Sequence, residues 1–210
     1  MTDTLLRGRL LTFNREPQGG DDVEAYTYLE DGGLLIRDGM ILRRGPFSEL
    51  SATSPDALVT DHRPNLMLAG FIDTHIHFPQ VQVIASWGSQ LLDWINNYTF
   101  PEETRFADPE HCSQMANAFF DQLVGHGTTT AVAFCSVHKS SDDAFFTEAS
   151  RRQMRMLGGK VMMDCNAPDG LCDTPQTGYD DTKSLIEQWQ GKDRYGYVIT
   201  PRFAITSTPE

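Results

Sequence analysis

Residues 66–77, Leu-Met-Leu-Ala-Gly-Phe-Ile-Asp-Thr-His-Ile-His, constrain the fold more than any other part of this chain. An apolar run leads directly into a segment in which polar and apolar residues alternate. Side chains in an extended strand alternate in direction, so Asp73, His75 and His77 share one face while Ile72, Thr74 and Ile76 share the other. A strand that is apolar on both faces at its start is the kind that parallel sheets bury, and polar groups at its carboxyl end then need partners. Imidazole is the commonest neutral ligand for zinc and other first-row metals, so His75 and His77 side by side read as half of a metal site. A bare His-x-His also arises on half-exposed strands with no ligand role; the apolar context favours the metal.

The rhythm on either side of this segment differs. Before it, short apolar stretches at 10–13, 33–36 and 40–42 are separated by turn chemistry, including the hairpin signal Asp38-Gly39, which predicts a small antiparallel β domain over 1–65. After it, strand candidates at 66–74, 128–134, 156–163 and 195–203 alternate with helical stretches, the pattern of βαβ units around a parallel sheet. Asp108 followed by Pro109 marks a helix start, and Met115, Ala118, Phe119, Gln122 and Leu123 recur at helical spacing until Gly125 or Gly127 ends it. Further helices are expected over 142–154 and 180–189. Four strands with their helices make half a barrel, whose edges and interior need a second half. The chain is thus expected to hold the first four βα units, over 66–210, of a larger (β/α)8 barrel.

Composition narrows the function classes. Seventeen basic against 29 acidic side chains give a net charge of −12, which opposes binding to a nucleic acid polyanion. No apolar run approaches the length of a membrane span and no secretory leader is evident, so a soluble cytoplasmic protein is expected. Cys112, Cys135, Cys165 and Cys172 are too scattered for a disulfide framework and include no Cys-x-x-Cys. That absence also argues against the cytidine-deaminase type of zinc site, which uses His-x-Glu with Pro-Cys-x-x-Cys.

Gly70-Phe71-Ile72-Asp73-Thr74-His75-Ile76-His77 resembles the first metal-binding strand of the amidohydrolase superfamily, metal-dependent hydrolases built on a (β/α)8 barrel of the TIM type. Phe78-Pro79-Gln80, the segment 90–102 with Leu-Leu-Asp-Trp and Asn-Tyr-Thr-Phe-Pro, Gly127-Thr128-Thr129-Thr130, the segment 159–164 and Thr200-Pro201-Arg202-Phe203 are similar, in order, to the guanine deaminase branch of that superfamily. The resemblance implies an α/β fold with a small amino-terminal β-sandwich domain, a chain about half the length of its relatives, and a homodimer. It implies one divalent metal of the zinc type, with iron or manganese as alternatives, and hydrolysis of guanine to xanthine and ammonia.

By the same resemblance His75 and His77 are metal ligands, and Gln80, Arg202 and Phe203 contact the substrate. The chemistry suits them: a glutamine amide carries both donor and acceptor, and an arginine fork matches the adjacent O6 and N7 acceptors of guanine. Asp73 is placed to fix an imidazole tautomer or simply to pack. Phe203 would stack on the purine or on the barrel wall. Asp93 and Trp94 would form a lid or a packed short helix, and His138 is a weaker candidate for lining the pocket. His62, His111 and His126 are expected to be solvated or capping. The remaining ligands and the glutamate acid–base would lie on later strands, beyond residue 210. Two readings stay open beside guanine deamination: another deaminase or cyclic amidohydrolase of the superfamily, and a non-catalytic interaction module.

Overall fold

In the computed structural model, which describes residues 3–209, the first sheet is organised by a two-residue turn. Asp38 and Gly39 adopt φ of 51° and 76°, the left-handed pair that a tight hairpin requires. They join strand β2 (Tyr26–Arg37) to β3 (Met40–Pro46), and β2 also pairs antiparallel with β1 (Thr4–Phe13). Helix α1 (Phe47–Thr53) then carries the chain to the opposite edge, where β4 (Leu58–Met67) runs parallel to β1. The order is β3-β2-β1-β4. The sheet is therefore mixed, where the turn-rich sequence predicts a purely antiparallel one; the crossover through α1 permits the parallel pairing. These strands form a single layer, with Leu5, Leu35 and Leu50 buried between sheet and helix.

The apolar run expected as one strand over 66–74 is divided. Leu66 and Met67 pair with Arg9 and Leu10 at the end of β4, and a new strand, β5 (Phe71–His77), begins after Gly70. A compact unit ends at Ala69 and a second starts at Gly70. Glycine is needed at the break because a Cβ on residue 70 would lie 2.1 Å from Thr129 Oγ1. The Phe71 amide then donates to the Gly127 carbonyl at 2.8 Å, which starts the parallel ladder.

In the second unit strands and helices alternate as the rhythm predicts. Short helices α2 (Leu91–Trp94) and α3 (Phe100–Thr104) precede α4 (Pro109–Gly125), which leads into β6 (Thr128–Phe134). Helix α5 (Lys139–Arg152) leads to β7 (Arg155–Gly159) and β8 (Val161–Met162), and α6 (Pro175–Trp189) to β9 (Gly196–Tyr197) and β10 (Thr200–Pro201). The Asp108 carboxylate accepts the Glu110 N–H at 2.9 Å, capping α4 as the sequence predicts. Helices α5 and α6 begin earlier than their apolar periodicity indicates, because polar first turns hide their starts; at α6 Thr174 and Thr177 form a reciprocal cap.

Strands β5, β6, β7 and β9 lie parallel in that order, while β8 pairs with β10. Gly159 lets the strands converge, since a Cβ there would fall 1.8 Å from the Val198 carbonyl oxygen. Aromatic side chains fill the space between strands and helices: Phe78, Phe106, Phe119, Phe120, Phe145 and Phe146 cluster against Ala131, Ala133 and Met156. Among the described residues the sheet does not close on itself. Burial of β5 on both faces is accordingly not met: it is an edge strand, and Phe71 and Ile72 are 57% and 68% exposed. No helix among the described residues is long and apolar enough to cross a membrane.

Candidate functional site

Strand β5 ends with both imidazoles at the same mouth of the sheet. The His75 and His77 rings lie 5.2 Å apart, centroid to centroid, inclined at 71°. Against both rings stands Phe134, the register partner of His77 at the end of the neighbouring strand β6. It stacks on His77 at 4.7 Å and 10°, and meets His75 edge-on at 5.2 Å. The sequence offered one sign of this residue, its place at the carboxyl end of the second strand, but nothing pointing to the histidines.

Burial pushes His77 down to about 4, helped by the positive charge of Arg202 and by His75. Its ring is therefore neutral at neutral pH, and its Nδ1 is buried with no hydrogen-bond partner. A neutral imidazole with an unpaired nitrogen, facing a second imidazole, offers a divalent cation two nitrogen donors. Asp73 does not take either ring; its carboxylate accepts the backbone N–H of His75 at 3.0 Å and so stiffens the strand end. Among the described residues no cluster of three or more His, Cys, Asp or Glu side chains could hold a metal ion. These residues fit a metal as two of its ligands, and the others would have to come from elsewhere.

Gln80 sits in the short 3-10 helix Phe78–Val83 directly after β5, and Arg202 follows β10. A residue the sequence did not single out joins them. Glu103 of α3 is 1% exposed; its Oε2 accepts from Arg202 Nη1 at 2.7 Å and its Oε1 from Gln80 Nε2 at 3.2 Å. Ser136, just past β6, donates to the Glu103 backbone carbonyl at 3.3 Å. Arg202 is itself buried, yet its Nε–H lacks a partner. Phe203 is not core: it is 42% exposed and lies beneath the Arg202 guanidinium, 5.5 Å from carbon to ring centroid.

The weaker candidates divide. His111, expected to be solvated, is buried against Phe106 with its Nε2 at 3.0 Å from Glu102 Oε1. His126 does cap, its Nδ1 at 2.8 Å from the Gln122 carbonyl, and His62 is exposed on β4. His138 precedes α5 with Nε2 buried and unpaired. Asp93 accepts from Ser89 at 2.6 Å, while Leu91 and Leu92 are exposed beside Trp94. Cys112 and Cys135 are buried and burial raises both thiols, whereas Cys172 is exposed. A groove of about 630 Å³ runs along α6 past Met162, Tyr179, Ile186 and Pro201, and includes none of the candidate residues.

Comparison with known proteins bears on the family. Residues 66–210 match the profile of the amidohydrolase family. The chain is 44% identical over 207 residues to guanine deaminase of Escherichia coli K12, covering 98% of this chain and 47% of that protein. A guanine deaminase structure from Bradyrhizobium japonicum superposes with a TM-score of 0.94 at 37% identity, over 100% of this chain and 46% of the other. One from C. acetobutylicum, solved with guanine bound in its active site, superposes at 0.85 with 28% identity, over 99% and 48%. The chain thus spans about half the length of the relatives it matches. With its family-profile match extending from the end of β4 through the histidine pair to Arg202 and beyond, this chain belongs to the amidohydrolase family.

Proposed function

We propose that this chain supplies the first half of the active site of a guanine deaminase, which hydrolyses guanine to xanthine and ammonia. The observation that carries this reading is the joint placement of the imidazole pair and a Gln80–Glu103–Arg202 group, with Glu103 and Arg202 buried, around the carboxyl ends of parallel strands, where barrel enzymes keep their chemistry. Named guanine deaminases among the relatives support it.

His75 and His77 would hold one divalent cation, of which zinc is the first choice. Bound there, such a cation supplies a water acidic enough to react at neutral pH. Arg202 offers paired N–H donors suited to the adjacent O6 and N7 of guanine, which turns the C2 amino group toward the histidines. Gln80 reads a second edge of the ring, and Phe203, beside Arg202, covers a face. The buried Arg202–Glu103 pair brings a positive fork to the base without leaving an uncompensated charge in the interior. The proton-transferring glutamate and the further metal ligands are expected outside this segment. The test is xanthine formation from guanine by the metal-loaded protein as its source cell makes it, run beside ammonia release from cytosine and adenosine. Turnover of guanine is expected; turnover of another base with guanine untouched would replace this reading by the wider amidohydrolase one.

A further inference from the structure

One carboxylate ties together the two side chains that would read the base. Gln80, after β5, and Arg202, after β10, are separated by most of the second unit, yet both end on Glu103, which belongs to neither element. Ser136, after β6, fastens the Glu103 backbone at the same point. The ends of three strands are thus bound to the single turn of α3, and Glu103 is almost wholly buried there.

We infer that Glu103 is a positioning residue that fixes which hydrogen-bonding atoms Gln80 and Arg202 present to the base, and so sets selectivity for guanine. The inference rests on the proposed function. The chemistry is forced by what a carboxylate is able to do. Ionised, it only accepts, so Gln80 has to turn its NH2 group toward Glu103 and its Oε1 the other way. Arg202 commits Nη1 to the same carboxylate, which leaves Nη2 and the unpartnered buried Nε–H as the donors still to be used. The result is an acceptor on one side and a fork of donors on the other. Guanine matches both, with N–H groups on its ring and amine and with O6 beside N7.

A glutamine at position 103 keeps the shape but not this logic. Its amide would offer an oxygen to Arg202 and an NH2 to Gln80, and Gln80 would have to turn over, presenting a donor where guanine needs an acceptor. Glu103→Gln in the metal-loaded protein as its source cell makes it is expected to raise KM for guanine about 10- to 100-fold, with kcat held within about threefold. Metal content should stay close to that of the unsubstituted protein, while the melting temperature falls because buried Arg202 loses its counter-charge. Glu103→Asp retains the charge but is one methylene short, and should fall between the two; it is also the variant to read if Glu103→Gln does not fold. An unchanged KM in the folded variant would overturn the inference and leave the proposed function standing. So would a parallel fall in kcat and metal content, which marks a merely structural glutamate. If the unsubstituted protein does not deaminate guanine, the proposed function falls and this inference with it.

Discussion

On the proposed reading, removing one imidazole takes away half of what the described residues offer a metal. His77→Ala or His75→Ala is expected to weaken zinc affinity by at least about 100-fold in the metal-binding protein, more than the loss usual for residues that merely support a ligand. Competition with a chromophoric chelator measures it, and affinity unchanged in either variant would remove that residue from the site. A second residue-scale prediction concerns Asp142, buried near the start of α5 with both oxygens unpaired. Burial raises its pKa well above the usual carboxylate range, with the charge of Lys160 opposing. Between the unfolded value near 4 and the raised folded value, the folded state keeps a proton that the unfolded chain has lost. Stability from this group is therefore full at low pH and declines as pH rises through that window. Asp142→Asn removes the ionisation, so urea unfolding at about pH 4.5 and about pH 8 should show a gain for the variant that is larger at the higher pH. An equal effect at both would mean that Asp142 is already ionised in the fold.

At the scale of elements, what the sequence made legible was local. Asp108-Pro109 announced the start of α4 and Asp38-Gly39 the hairpin, because a cap or a turn depends on neighbours two or three residues away. Asp108→Ala is expected to cost about 1 kcal/mol in denaturant unfolding. The histidine pair was visible for the same reason, alternation along a single strand. Phe134, Glu103 and the His111–Glu102 contact were not, since each is created by segments that meet only after folding. The parallel course of β4 and the division of the run 66–74 were hidden likewise: Leu66 and Met67 look the same whether they pair with β1 or continue into β5. Gly159 shows how strict such meetings are. Gly159→Ala would drive a Cβ into the Val198 carbonyl and is expected to cost about 2 kcal/mol or more, read as a lowered unfolding midpoint. A neutral outcome would mean that β9 and β10 shift freely against β7.

For the whole molecule the open sheet matters most. Catalytic zinc usually has three protein ligands, and on the proposed reading the described residues bring two imidazoles. The 210-residue chain purified by itself is therefore expected to carry well under one zinc by elemental analysis. A full equivalent that survives dialysis would show that the histidine pair is sufficient. Electrostatics are compatible with the proposed substrate: a net charge of −12 discourages polyanions but leaves a free nucleobase, which bears no phosphate, unopposed. The attachment of Gln80 and Arg202 to one short helix carries a consequence for how such enzymes diversify. With Gln80 and Arg202 reading the ligand as proposed, a small tilt of Phe100–Thr104 swings both in concert. Lineages could then acquire a taste for a different heterocycle through substitutions underneath that helix, while every residue touching the ligand stays as it was.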